Sequence, residues 1–128
     1  MWEDDHASRG LGMTLESVGP GRAQMAMTVG PAMTNGHGMC HGGFIFTLAD
    51  SAFAFACNSR NAKCVAAQCQ ISFLRPARLG ERLVASAEER HLAGRSGIYD
   101  VRVTDAAGEV VAELRGHSRA IGGVFFEG

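Results

Sequence analysis

Residues 44–57, FIFTLADSAFAFAC, read as a helix that is apolar on nearly every side and carries one carboxylate, Asp50. Gly42 and Gly43 stand immediately before it. A helix of this kind is buried, so the rest of the chain has to wrap around it. An ionised Asp in such a setting costs several kcal/mol unless something pairs with it or uses it. Asp50 therefore calls for a structural or a chemical reason.

The segments on either side supply the wrapping. The first ten residues read as a short, weak helix or an arm, and GMTLESVGPG followed by RAQMAMTVGP alternates as an opening hairpin. MTNGHGMCHGG has no period and reads as a Gly-rich loop delivering the chain to the helix, which ends near residues 58–61. Beyond Lys63 the pattern is strand throughout. Val65, Ala67, Cys69, Ile71 and Phe73 fall on one face of a strand closed by Pro76, and Leu83, Ala85 and Ala87 begin the next. Turns at 94–97 and 105–108 divide the remainder into a meander of long hairpins ending at Ala120. One long apolar helix beside such a meander predicts an α+β fold, a curved antiparallel sheet wrapped around the helix, formed as one domain over residues 1–128.

Composition removes several functions. Lys and Arg number 12 against 13 Asp and Glu, so no basic field exists to gather nucleic acid. The acidic, polar start MWEDDHASRG does not resemble a secretory signal, and no apolar run reaches a membrane span, so the expectation is a cytoplasmic protein away from the membrane. Cys40, Cys57, Cys64 and Cys69 are irregularly spaced and expected to be reduced thiols. His37, Cys40 and His41 suggest half a metal site, but no second ligand pair follows, and no metal is expected.

NGHGMCHGGFIFTLADSAFAFACNSR resembles the signature of PaaI-type acyl-CoA thioesterases of the hotdog-fold superfamily, with Asn35, His41, Gly42, Gly43 and Asp50 in that family's order and spacing. ISFLRPARLGE, RSGIYDVRVTDAAGEVVA and RGHSRAIGG extend the similarity over nearly the whole chain. The resemblance implies hydrolysis of a coenzyme A thioester, with phenylacetyl-type and ring-hydroxylated acyl groups as first candidates. Coenzyme A is then part of the substrate, and no separate cofactor is implied. The resemblance also implies a homo-oligomer, a dimer or a tetramer built from dimers.

The residues bear on this chemistry independently. Thioester hydrolysis needs a donor where the carbonyl oxygen gains charge and a group that activates water or attacks the carbonyl. The free N–H groups of a helix N-terminus suit the first role, with Gly42 as donor and Gly43 in support. Asp50 suits the second, but it lies eight residues further on, about 12 Å along one helix. Donor and base each have to come within about 3 Å of the reacting atoms, so a site using both takes them from two subunits related by a two-fold axis. Thr47, Asp50, Ser51 and Asn58 form a stripe expected to face that partner, with Ile45, Leu48, Ala49, Ala52, Phe55 and Ala56 facing the sheet. The bland alternative is a solvated stripe with Asp50 bonded to its neighbours.

Asn35 suits either a carbonyl or water contact or a simple Asn-Gly turn, and His41 either a helix cap or a proton carrier. Phe44 is available to line an acyl pocket. Among the cations for coenzyme A phosphates, Lys63, Arg75, Arg78, Arg90, Arg95, Arg115 and Arg119, the positions of Arg75 before Pro76 and Arg95 at a turn are favoured. A hydratase or dehydratase using His41 with Asp50, and a non-catalytic acyl-CoA sensor, are the competing readings.

Overall fold

Alternation of buried and exposed positions determines which side of each strand meets the helix. In the computed structural model, which describes residues 1–126, Ala23, Met25 and Met27 of β2 (Arg22–Thr28) point inward. Leu83, Ala85 and Ala87 of β4 (Arg82–Ala93), Tyr99, Val101 and Val103 of β5 (Ser96–Thr104), and Ala112 and Leu114 of β6 (Val110–Ala120) continue the same surface. The abundance of alanine lets the backbone of the long helix α2 (Gly42–Cys57) approach the sheet closely. Where a large side chain does intrude, the sheet yields: a Cβ on Gly116 would lie 2.7 Å from the Phe53 ring, which packs on Tyr99 at 5.5 Å. Emptying that position, as in Phe53→Ala, costs about 3–5 kcal/mol in a core of this kind.

Strands β1 (Thr14–Gly19) and β3 (Cys64–Phe73) complete a six-stranded antiparallel sheet in the order β1-β2-β4-β5-β6-β3. Every element expected from the sequence is present, including the short N-terminal helix α1 (His6–Gly10). Helix α2 begins two residues earlier than the apolar run, because His41 caps it and the two glycines form its first turn.

Two details differ from the sequence reading. First, Val65 and Ala67 do not share a face with Cys69, Ile71 and Phe73. A bulge between Ala66 and Gln68 inserts one unpaired residue opposite β6, so Cys64 and Ala66 take the inner positions instead. Second, the polar stripe of α2 divides. Ser51 is only 8% exposed and lies beneath the N-terminal segment, while Asn58 closes the helix C-terminus and bonds the Cys64 backbone. The open face is Gly43, Thr47, Asp50 and Ala54, spaced by three and four residues. No helix among the described residues is long and apolar enough to cross a membrane.

Candidate active site

Loop 34–41 is stitched to loop 74–80, and the stitching creates a groove at the N-terminus of α2. The Cys40 N–H donates to the Ala77 carbonyl at 2.7 Å, the His41 N–H to the Met33 carbonyl at 2.7 Å, and Met39 bridges Arg78. The groove has a volume of about 420 Å³ and is lined by Asn35, Met39, Cys40, Gly42, Ile45 and residues 73–76. Phe73 and Leu74, 52% and 57% exposed, form its apolar wall.

Polar groups in the groove are left with capacity to spare. The Gly42 N–H has no acceptor among the described residues, as expected for the first turn of a helix. The Phe73 ring lies 3.0 Å from where a Gly42 Cβ would stand, so glycine there lets the aromatic wall sit against the helix start. Asn35 serves the loop and the groove at once. Its Oδ1 accepts from the His37 N–H at 2.9 Å and the Met39 N–H at 3.2 Å. Two donors on one atom identify it as the oxygen, which leaves the side-chain NH₂ as a donor with no acceptor among the described residues.

His41 has the capping geometry: its Nδ1 accepts from the Gly43 N–H at 3.2 Å. That nitrogen's lone pair is committed, which argues against His41 as a general base and hence against the hydratase reading that pairs it with Asp50. Cys40 is buried in the groove wall, and burial pushes its thiol above the usual range, so it is a protonated, weakly nucleophilic group at neutral pH. Phe44 is half-buried and packs on the core at the base of α2 without lining the groove. The Thr47 hydroxyl donates to the Gly43 carbonyl at 2.8 Å.

Asp50 does not line the groove of its own chain. It is half-buried on the open face of α2 with no ion-pair partner among the described residues. Burial, followed by the negative charge of Asp5, raises its pKa above the ordinary carboxylate value.

The phosphate candidates fare differently. Arg75 lines the groove, but its guanidinium is shared between Asp105, at 3.0 Å, and Glu109. Arg90 and Arg115 are spent on Asp100. Arg95 lies in the β4–β5 turn, at the end of the sheet opposite the groove. Arg78, at the groove mouth beside Met39, bonds Glu81 through its backbone N–H at 2.9 Å, and its guanidinium has no carboxylate partner among the described residues. The sequence named Arg78 without preferring it, since nothing in one dimension joins loop 74–80 to loop 34–41.

A sheet wrapped around one helix, with donors free at the helix start and a carboxylate unpaired midway along it among the described residues, is compatible with a thioester-cleaving enzyme. The chain belongs to the thioesterase superfamily, whose family model matches residues 37–112. It is 45% identical to the acyl-coenzyme A thioesterase PaaI of Escherichia coli over 96% of this chain and 88% of that protein. The solved structure of E. coli PaaI, from the phenylacetic acid degradation operon, superposes with a TM-score of 0.95 at 44% identity, covering 97% of this chain and 90% of that one. Human acyl-coenzyme A thioesterase 13 is 34% identical over 86% of this chain and 80% of its own. The Streptococcus mutans protein smu.793, solved bound to acetyl CoA, has a TM-score of 0.84 at 26% identity, covering 88% and 90% of the two chains. The fold is thus the hotdog fold.

Proposed function

We propose that this chain hydrolyses aromatic acyl-CoA thioesters, of the phenylacetyl type with or without a ring hydroxyl, at sites shared between two copies. The observation that carries the reading is the separation of Asp50 from the groove that holds Gly42, with neither the Asp50 carboxylate nor the Gly42 N–H partnered among the described residues. Relatives named acyl-coenzyme A thioesterase support the substrate class, and the apolar wall of Phe73, Leu74, Ile45 and Pro76 suits a flat acyl group.

Strand β3 supports the pairing. It is a sheet edge of ten residues without Pro or Lys, largely exposed, and so presents a row of free backbone groups to a second chain. Phe73 stands against Gly42, and Cys69 lies near enough to Asp50 to feel its charge. Four strand residues span about 13 Å, close to the roughly 12 Å from Gly42 to Asp50 along α2. A two-fold axis near Ile71, pairing β3 antiparallel with its copy, therefore sets the Gly42 of one chain beside the Asp50 of the other. The same operation returns Arg95 of one chain toward the groove end of its partner, where it joins Arg78 as a phosphate candidate.

In this site the Gly42 N–H and the Asn35 amide take the charge developing on the thioester oxygen. Asp50 of the second copy removes a proton from water as its oxygen bonds to the carbonyl carbon. The C–S bond then breaks, and the coenzyme A thiolate leaves and is protonated. Direct attack by the carboxylate, giving a mixed anhydride that water then cleaves, uses the same groups.

The test is release of free thiol from phenylacetyl-CoA, a ring-hydroxylated relative, and short and long aliphatic thioesters. Aromatic thioesters are expected to be cleaved fastest, and Asp50→Asn to be inactive. A faster aliphatic substrate would overturn the acyl assignment and leave the chemistry standing. Mixing inactive Asp50→Asn chains with inactive Gly42→Pro chains at equal amounts should restore about one quarter of the sites. No recovery after verified subunit exchange would count against the shared site.

A further inference from the structure

The N-terminal ten residues are held against the middle of α2 by a buried polar chain that the mechanism above does not use. Asp5 caps α1: its Oδ1 accepts from the Ser8 N–H at 3.0 Å and its Oδ2 from the Ser8 hydroxyl at 2.8 Å. The Ser8 hydroxyl is also 2.7 Å from that of Ser51, and Ser8 is 1% exposed. An ionised carboxylate only accepts, so the Ser8 proton is committed to Asp5 and the Ser51 proton is committed to Ser8. The hydroxyl next to Asp50 is thereby turned out of its own helix and toward Asp5. Apolar contacts fasten the same segment, with Trp2 against Phe55 at 5.9 Å between rings and Leu11 packed on the core.

We propose that Asp5, anchored through Ser8 and Ser51 over the middle of α2, is a positioning residue for Asp50 and the second negative charge of the active site. The proposal rests on the reading of Asp50 as the catalytic carboxylate. Its consequence is that the N-terminal segment is part of the catalytic apparatus: the relay holds one turn of α2, and the Asp5 charge makes Asp50 a stronger base by disfavouring its ionised form. Other titratable groups directed toward α2 do not supply this effect. Cys57 on α2 and Cys64 and Cys69 on β3 are thiols raised by burial and therefore neutral. Tyr99 on β5 is raised and neutral, and Glu89 on β4 is neutralised by Arg60 at 3.0 Å. The remaining inward positions of β2, β4, β5 and β6 are apolar, glycine or serine.

The experiment compares the pH dependence of kcat/KM for wild type, Asp5→Asn and the paired control Glu3→Gln/Asp4→Asn, which removes neighbouring exposed charges outside the relay. Asn caps a helix as well as Asp does, so Asp5→Asn keeps the segment folded while removing the charge and reversing the bond to Ser8. The acid limb is expected to move to lower pH in Asp5→Asn and to stay in place in the control. An unmoved limb in Asp5→Asn, or an equal shift in the control, overturns the proposal. Carbon-13 titration of the Asp50 carboxyl in the same three proteins gives a readout independent of turnover, and the same shift is expected there. If wild type is active and Asp50→Asn is not, the catalytic reading stands whatever Asp5→Asn does, so the two failures are distinct.

Discussion

Two depressions among the described residues differ in kind, and the larger of the two is the one without free chemistry. On the outer face of the sheet, a volume of about 530 Å³ is bordered by Ser86, Glu88, Arg90, Asp100, Arg102, Glu113 and Arg115 among others. Nearly every charge there is answered: Arg115 and Arg90 both bond Asp100, at 2.7 and 3.0 Å, and Arg102 bonds Glu113 at 2.7 Å. The groove at the start of α2 is smaller, but the Gly42 N–H and the Asn35 side-chain NH₂ lack acceptors among the described residues, and the carboxylate proposed to join them lies on the open helix face. The two carboxylates record the difference. Asp100 is held below the usual range by Arg115 and then Arg90, whereas Asp50 is pushed above it by burial and then by Asp5. Size alone would select the outer depression, and unsatisfied polar groups select the other.

Asp50 is the residue at which the two depressions should differ most. Asp50→Asn should lower kcat by about a hundredfold or more, measured as thiol release, and should raise Tm slightly at pH 7. The sign follows from the raised pKa: the folded state favours the protonated carboxyl, so the ionised form costs stability at neutral pH, and that cost fades as pH falls through the folded value. The Tm advantage of the variant should therefore shrink on acidification. A Tm lowered by the substitution at pH 7 would show that Asp50 is a structural residue.

Gly42→Pro comes next. Pro is tolerated at the first position of a helix, and His41, at φ −63° and ψ 135°, already has the backbone that precedes Pro. The substitution deletes the N–H and also meets the Phe73 ring, so Gly42→Ala, which meets the ring and retains the N–H, is its control. We expect Gly42→Pro to lose about a hundredfold in kcat and Gly42→Ala distinctly less. Equal losses would assign the effect to the displaced ring.

Asn35→Asp keeps acceptors for the His37 and Met39 amides while deleting the side-chain donor. A loss of about tenfold in kcat with unchanged Tm is expected, consistent with one hydrogen bond lost in the transition state. Last and smallest is Asp100→Asn on the outer face. Activity should be unchanged and Tm should fall by no more than about 3 °C, since exposed ion pairs contribute little. Because the Asp100 pKa is lowered, its contribution is present at neutral pH and disappears as pH falls through the folded value, opposite in sign to Asp50.

Much of this arrangement was legible in one dimension. Periodicity located α2 and all six strands, and the isolation of Asp50 in an apolar run, with glycines before it, marked the candidate site. The cap at His41 was readable from its place at the helix start. The bulge in β3 was not, because Ala66, Ala67 and Gln68 differ too little for alternation to reveal a skipped residue. Ser51 was assigned to the open stripe because its burial depends on Ser8, more than forty residues away in sequence. Arg75 looked free because its carboxylate partners, Asp105 and Glu109, belong to a distant hairpin turn. Local pattern reveals what an element is, and long-range contact decides which of its polar groups remain available.

The position of β3 in the sheet also bears on how the protein is made. Among the described residues its only sheet neighbour is β6, the strand latest in sequence, with Cys64 opposite Ala120 and Phe73 opposite Ala112. During synthesis β3 leaves the ribosome well before that neighbour exists, so for an interval both of its edges are open and able to pair with the wrong chain. The meander β4-β5-β6 can form by local contacts as it emerges, and β3 docks only when that meander is complete. The Phe73 wall of the groove is therefore fixed in place only after β6 has been translated and has paired with β3.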